Sequence, residues 1–245
     1  MPVVEIVGPA PCAETRPAVA HPTQRAEAYM PVVEIVGPAP STYTRVARMV
    51  CEEKQIPYEL KQSPPHSPDV DAIHPFGKVP VMRHGDFELC ESKAISTYLD
   101  LSFPGPKLIP TEPRQAALTE QWVSLVNTKM DGTLVRSYLL SYVFPKGSDG
   151  KPDRTVIDAV VPEVEKEIQL LDRAVAKGGF LAGDSFTLAD INVMPILAYL
   201  RNFPESGAAI TAAKSLSAYY DRLATRPSFR NTVPPPPPRQ QAKAS

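Results

Sequence analysis

The sequence predicts two folded parts in series, an α/β domain over residues 30–103 and an all-helical domain over residues 114–233. Three observations carry this. Short apolar runs bounded by turn residues alternate with helical spacing as far as residue 103. Prolines then cluster, Pro104-Gly105-Pro106 followed by Pro110 and Pro113, and mark a linker over 104–113. Beyond the linker the strand signal disappears and only helical spacing remains. A chain of 245 residues is long for one small domain. Its 43% hydrophobic and 22% charged residues are ordinary for a folded soluble protein, which excludes a mostly disordered chain.

In the first part, Val32 to Val36 is an apolar run ended by Gly37-Pro38-Ala39-Pro40, the pattern of a buried strand. Ser41 then precedes a helix over 43–54. Tyr43, Val46 and Val50 give its apolar face, and Glu52-Glu53-Lys54 is expected in solvent. Tyr58 to Lys61 predicts a second strand. Pro64 to Pro68 reads as a loop, with a short helical turn to Ile73. Val79 to Met82 predicts a third strand, Arg83 to Asp86 a hairpin turn, and Phe87 to Leu89 a fourth strand. A helix over 92–101 buries Ala94, Ile95, Tyr98 and Leu99. The order is β-α-β-α-β-β-α.

In the second part, residues 114–144 form one long helical pattern that includes Trp122, Leu125, Val126, Leu134 and Leu139, with Gly132 as the place for a bend. Residues 154–177 form another, with Val161, Val164, Ile168, Leu171 and Val175 at helical spacing. Pro162 predicts that its first turns stand apart. Residues 188–200 and 211–224 complete the set.

The two ends differ from the body. The eleven residues from Met1 to Pro11 recur identically from Met30 to Pro40. Only the second copy leads into a helix; the first runs into Pro17 and His21-Pro22. Residues 1–29 are therefore expected to be a disordered extension rather than a regulatory arm. Residues 234–245 open with a five-proline run and read as an extended, solvated tail.

Composition bounds the partners. A net charge of −1 argues against nucleic acid, whose phosphates need a basic surface. No uncharged apolar run reaches the ~18 residues of a membrane helix, so no membrane is expected. The start lacks the basic region of a secretory signal. Cys12, Cys51 and Cys90 are odd in number and far apart, which is not a disulfide framework; a reducing cytoplasm is expected.

Three short segments can carry chemistry. Ser41 follows a strand at a helix start. It suits an N-cap, and it also suits a hydroxyl donor aimed at a bound thiolate. A free thiol with pKa ≈ 8.5 is only about 3% ionised at pH 7. Lowering that pKa by about 2 units takes about 2.7 kcal/mol. A hydroxyl hydrogen bond and a helix N-terminus supply that order of stabilisation. Val79-Pro80 puts a proline in a strand-like context, as an edge residue or as a cis-proline that offers the Val79 backbone to a ligand. Glu91-Ser92 opens the next helix. Ser92 suits a cap, and the pair also suits an amino-acid end: amides and hydroxyl for the carboxylate, Glu91 for the ammonium.

Ser41-Thr42-Tyr43-Thr44-Arg45, then HPFGKVPV from His74 to Val81, then ESKAISTYL from Glu91 to Leu99 resemble in order and spacing the cytosolic glutathione S-transferases of the serine type, especially the phi and theta classes and their bacterial relatives. The resemblance spans about Met30 to Val233. It implies a thioredoxin-like N-terminal domain, an all-α C-terminal domain, a homodimer, glutathione as co-substrate and a detoxifying transferase without a metal. It implies that Ser41 stabilises the glutathione thiolate and that the Val79 backbone, before Pro80, pairs with the cysteinyl part. Glu91 and Ser92 match the pair that binds the γ-glutamyl end. Lys78 stands where the phi pattern usually has glutamine, and His66 falls near a histidine that contacts the glycyl carboxylate. Both are carried over toward that carboxylate.

Phe186-Thr187-Leu188-Ala189-Asp190-Ile191 reads as a capping box with a staple, which also resembles the family and has a folding role. The electrophile is expected between the domains, against Tyr43, Asn127, Met130, Leu134 and Tyr138. Two other functions fit the same resemblance: a non-catalytic binding or assembly module, and another glutathione-dependent enzyme such as a peroxidase, isomerase or dehalogenase. A chain beginning at Met30 should fold and turn over like the full chain; insolubility or lost activity on assay would make residues 1–29 part of the fold.

Overall fold

The structure, a computed structural model, describes residues 32–147 and 150–236. The duplicated extension and residues 237–245 of the tail lie outside the described residues. Four strands form a mixed sheet in the order β2-β1-β3-β4. Strand β1 (Val33–Val36) runs parallel to β2 (Tyr58–Lys61) and antiparallel to β3 (Val81–His84), which pairs antiparallel with β4 (Phe87–Cys90). Between them lie α1 (Thr42–Lys54) and α2 (Pro68–Asp71), and α3 (Ser92–Ser102) follows β4. This is the expected thioredoxin-like βαβαββα succession.

Strand β3 begins two residues later than the sequence pattern predicts. Pro80 has no ladder donor, so pairing starts at Val81. It also runs on through His84, which leaves Gly85 (φ 64°) and Asp86 as the turn. A larger core on one face of the sheet joins Val33, Ile35 and Met82 to Val46, Val50, Ile95 and Leu99. A small second cluster holds Val36, Val70 and Val81.

The helical part begins with α4 (Pro113–Ser124). It continues without a break into a π-helix (Leu125–Leu139) and a last turn, α5 (Leu140–Val143). The expected bend at Gly132 is thus a widened helical register. Helix α6 (Arg154–Gly178) is continuous through Pro162, contrary to the expectation of separate first turns. Pro162 and Asp158, whose carbonyl the ring deprives of a donor, are both exposed, so the lost bond falls on the solvent side of the helix. Helix α7 (Leu188–Leu200) is the central, almost wholly buried helix.

The single helix expected over 211–224 is two, α8 (Pro204–Ala212) and α9 (Lys214–Leu223), divided where Ala213 leaves helical dihedrals (ψ 83°). Helix α10 (Pro227–Asn231) has no counterpart in the sequence reading, because five residues are too few to show a period. Among the described residues no helix is long and apolar enough to cross a membrane.

Polar anchors join the parts. The Lys54 ammonium meets Asp100 at 3.1 Å in full burial, so the expected solvated end of α1 holds a buried ion pair. Asp100 also accepts from the amides of Leu108 and Ile109, and Lys54 donates to the Pro106 carbonyl, which fixes the linker on the first domain. Arg45 and Arg48 are buried and donate to the carbonyls of Phe229, Asn231 and Thr232. Burial lowers the Arg45 pKa to about 10 and pushes the Cys51 thiol up to about 12, so that thiol stays protonated.

The capping box is present. Thr187 caps the start of α7, and Asp190 accepts from the Thr187 amide (2.8 Å), the Leu181 amide (3.0 Å) and the Tyr219 hydroxyl (2.8 Å). Thr187→Ala should lower stability by about 1 kcal/mol in urea melts, through loss of the cap. Ligand affinity should be unchanged, and an intact midpoint with lost affinity would give the box a functional role.

Candidate active site

Helix α1 starts at the mouth of an interdomain cleft of about 630 Å³. Ser41 is its N-cap: the hydroxyl oxygen accepts from the Thr44 amide at 3.3 Å. A hydroxyl has two lone pairs and one proton, so capping leaves the O–H free to donate into the cleft. The Tyr199 hydroxyl of α7 donates to the Pro40 carbonyl at 2.6 Å, which holds the residue before Ser41 from the helical side. Tyr43, the second residue of α1, donates its hydroxyl to Asp131 at 2.8 Å. Burial and then Asp131 raise the Tyr43 pKa, so the phenol keeps its proton and donates it to that carboxylate rather than to a bound thiolate.

The loop before β3 supplies the second wall. The Val79–Pro80 peptide is cis. Lys78 and Val79 line the cleft and also a smaller cavity of about 140 Å³ beside it, which Pro80, Glu91 and Ser92 complete with Asn127. Glu91, not Ser92, takes the N-cap position of α3, with φ 67° and no side-chain cap bond. The left-handed backbone at a non-glycine residue is a costly conformation of the kind found where function over-determines the chain. It leaves Ser92 as the first helical residue, 8% exposed and with its hydroxyl unpartnered among the described residues.

His74, from the HPFGKVPV segment, is buried below Glu91. Its Nδ1 accepts from the Phe76 amide at 3.1 Å, so the neutral ring carries its proton on Nε2, 3.5 Å from the Glu91 carboxylate. This orienting role left no signal beyond the segment itself. His66 lies on the rim of the cleft, mostly exposed, 3.6 Å from Asp71; its amide donates to the Gly77 carbonyl, which ties the two loops together.

The helical wall differs from the expected one. Met130, Leu134 and Tyr138 are buried in the bundle core, and the Tyr138 hydroxyl donates to Glu205 at 2.9 Å. Asn127 lines the smaller cavity, where its amide oxygen is buried without a partner among the described residues. The wall consists instead of Val135, Arg136, Leu139, Leu140, Val143 and Phe144, with Tyr199 behind. Asp131 and Arg136 pair at 3.0 Å, five residues apart. The π-register, with hydrogen bonds from i to i+5, stacks such residues; an α-helix would set them on different faces.

Known proteins share this architecture. The family model described as glutathione S-transferase, N-terminal domain, matches residues 38–107, and the one described as glutathione S-transferase, C-terminal domain, matches residues 118–227. Glutathione S-transferase 3 of Zea mays is 30% identical over 191 residues, covering 74% of this chain and 84% of the relative. Glutathione S-transferase GstB of Escherichia coli K12 is 30% identical over 192 residues, covering 76% and 89%. A theta class glutathione S-transferase of Xanthomonas axonopodis pv. citri, solved with glutathione bound, superposes with a TM-score of 0.70 at 26% identity, over 83% of this chain and 98% of that one.

Proposed function

The chain belongs to the glutathione S-transferase family, and from that premise we propose how its site transfers glutathione to an electrophile. The γ-glutamyl end occupies the smaller cavity. Its carboxylate takes the Ser92 hydroxyl and the first amides of α3, where the helix dipole favours an anion. Its ammonium meets Glu91, which His74 holds in place, and the unpartnered amide oxygen of Asn127. The Val79 backbone pairs with the cysteinyl part, and the glycyl carboxylate lies toward Lys78 and His66.

That arrangement brings the thiol to Ser41. The thiol proton leaves to water, and the Ser41 O–H and the N-terminus of α1 stabilise the thiolate. Attack on an electrophile in the larger cleft forms a carbon–sulfur bond as the bond from that carbon to its leaving group breaks, the leaving group taking the electron pair. Tyr43 lines that cleft without acting as the donor, since Asp131 holds its proton. One observation carries the reading: a free hydroxyl proton at a helix N-terminus opens on a cleft that shares Val79 and Lys78 with the carboxylate cavity. A homodimer acting on small-molecule electrophiles in the cytoplasm is the setting this reading expects.

Ser41→Ala should leave glutathione binding nearly unchanged and cut turnover strongly. Ultraviolet difference absorbance of the bound thiolate checks this, and an unchanged thiol pKa and rate would remove Ser41 from the chemistry. Ser92→Ala and Glu91→Gln should each weaken glutathione binding about tenfold, the size of one charge-assisted hydrogen bond. A calorimetric titration reads that loss. A change confined to the rate at saturating glutathione would reverse the roles.

A further inference from the structure

Arg136 is not absorbed by the glutathione site as read above. It projects from the π-helix and lines both the smaller cavity and the larger cleft. Its Nε donates to one Asp131 oxygen, and the other Asp131 oxygen takes the Tyr43 hydroxyl. Both oxygens of that carboxylate are therefore used, and the guanidinium is held by one edge. Its two Nη groups have no partner among the described residues, and the side chain is 55% exposed.

Among the described residues the lining of the larger cleft includes no Asp or Glu. Its basic side chains are His66 and Lys78 on the first-domain wall and Arg136 on the helical wall. Around Arg136 the surface is apolar: Val135, Leu139, Leu140, Val143 and Phe144. A guanidinium held by Asp131 along one edge, with its other edge open beside an apolar wall, recognises an apolar body that carries an anionic group.

We propose that Arg136 selects electrophiles bearing a carboxylate on an apolar body, seating that carboxylate on its free Nη edge while the body lies against the helical wall. The proposal rests on the reading of this cleft as the electrophile site. For an aryl chloride the thiolate sulfur bonds to the ring carbon, and chloride leaves with the electron pair of the broken carbon–chlorine bond. The carboxylate is unchanged, and the thiol proton has already gone to water.

Two measurements on the full chain separate this proposal from the transferase reading. In the first, unreactive 3-nitrobenzoate and the same-shaped 3-nitrobenzamide are titrated calorimetrically with glutathione present. The benzoate should bind about tenfold tighter, the effect of one charge-assisted contact at a half-exposed site. The preference should shrink with added salt, vanish in Arg136→Gln and return in part in Arg136→Lys. Equal or absent binding of the two probes by the unaltered protein overturns the proposal. So does a preference that survives Arg136→Gln. A loss of glutathione affinity in Arg136→Gln with the benzoate preference intact would assign Arg136 to the glutathione site instead.

In the second measurement, kcat/KM for 4-chloro-3-nitrobenzoate and 4-chloro-3-nitrobenzamide is divided by each compound's uncatalysed rate with glutathione. Turnover of both without preference for the benzoate overturns the proposal and leaves the transferase reading standing. A benzoate binding preference without turnover of either compound counts against the transferase reading and overturns with it the role of Arg136 in selecting electrophiles.

Discussion

Helix α1 is buried along nearly its whole length, and the rest of the molecule is arranged around that constraint. One side covers the sheet through Val46 and Val50, and others meet α3, α7 and α10. A helix in this position cannot turn a polar face to water. Its charged residues are therefore met by partners from distant sequence: Arg45 and Arg48 by carbonyls near the end of the described chain, Lys54 by Asp100 and the linker. Each such group would be costly unpaired, so the contacts fix where the helical part sits on the sheet. The N-terminus of α1 meets the cleft through Ser41, Thr42 and Tyr43, and an N-terminus is the helix end at which an anion is favoured.

The π-helix brings the second domain to that end. Hydrogen bonds from i to i+5 widen the turn and let Asp131 and Arg136 meet on one face, with Asp131 also holding Tyr43 of α1. Tyr43 is therefore a tie between domains more than a spare hydroxyl. A long stretch of π-register is rare because its bonds are poorer than those of an α-helix. Here it is supported on both sides, by the buried Val126, Met130, Leu134 and Tyr138 in the bundle and by the Tyr43 contact at the cleft.

This register also marks where the sequence stops being readable. The strands were legible because alternation and bounding turn residues act locally; β3 shifted at both ends, starting after Pro80, which lacks a donor, and running on through His84. Ser41, Val79, Glu91 and Ser92 were legible as positions because each follows a strand or opens a helix. Met130, Leu134 and Tyr138 share one apolar stripe at α-helical spacing, and such a stripe faces the core. The cleft wall lies one residue further round, at Val135, Leu139 and Val143, with Arg136 beside it. Nothing in local spacing announces an i to i+5 register, and nothing announces that His74 will sit under Glu91. Both are set by tertiary packing.

Ser41 combines a structural and a chemical role that magnitudes keep apart. As N-cap it contributes about 1 kcal/mol to stability. Folded domains hold roughly 5–15 kcal/mol, so losing the cap would leave the native population almost complete. The thiolate is a different matter. Lowering a thiol pKa by about 2 units is about 2.7 kcal/mol, and below the pKa that is roughly a hundredfold in the ionised fraction. The cap uses a lone pair of the hydroxyl and the thiolate uses its proton, so the two interactions do not compete. One side chain can therefore terminate the helix and activate the nucleophile without giving up either role.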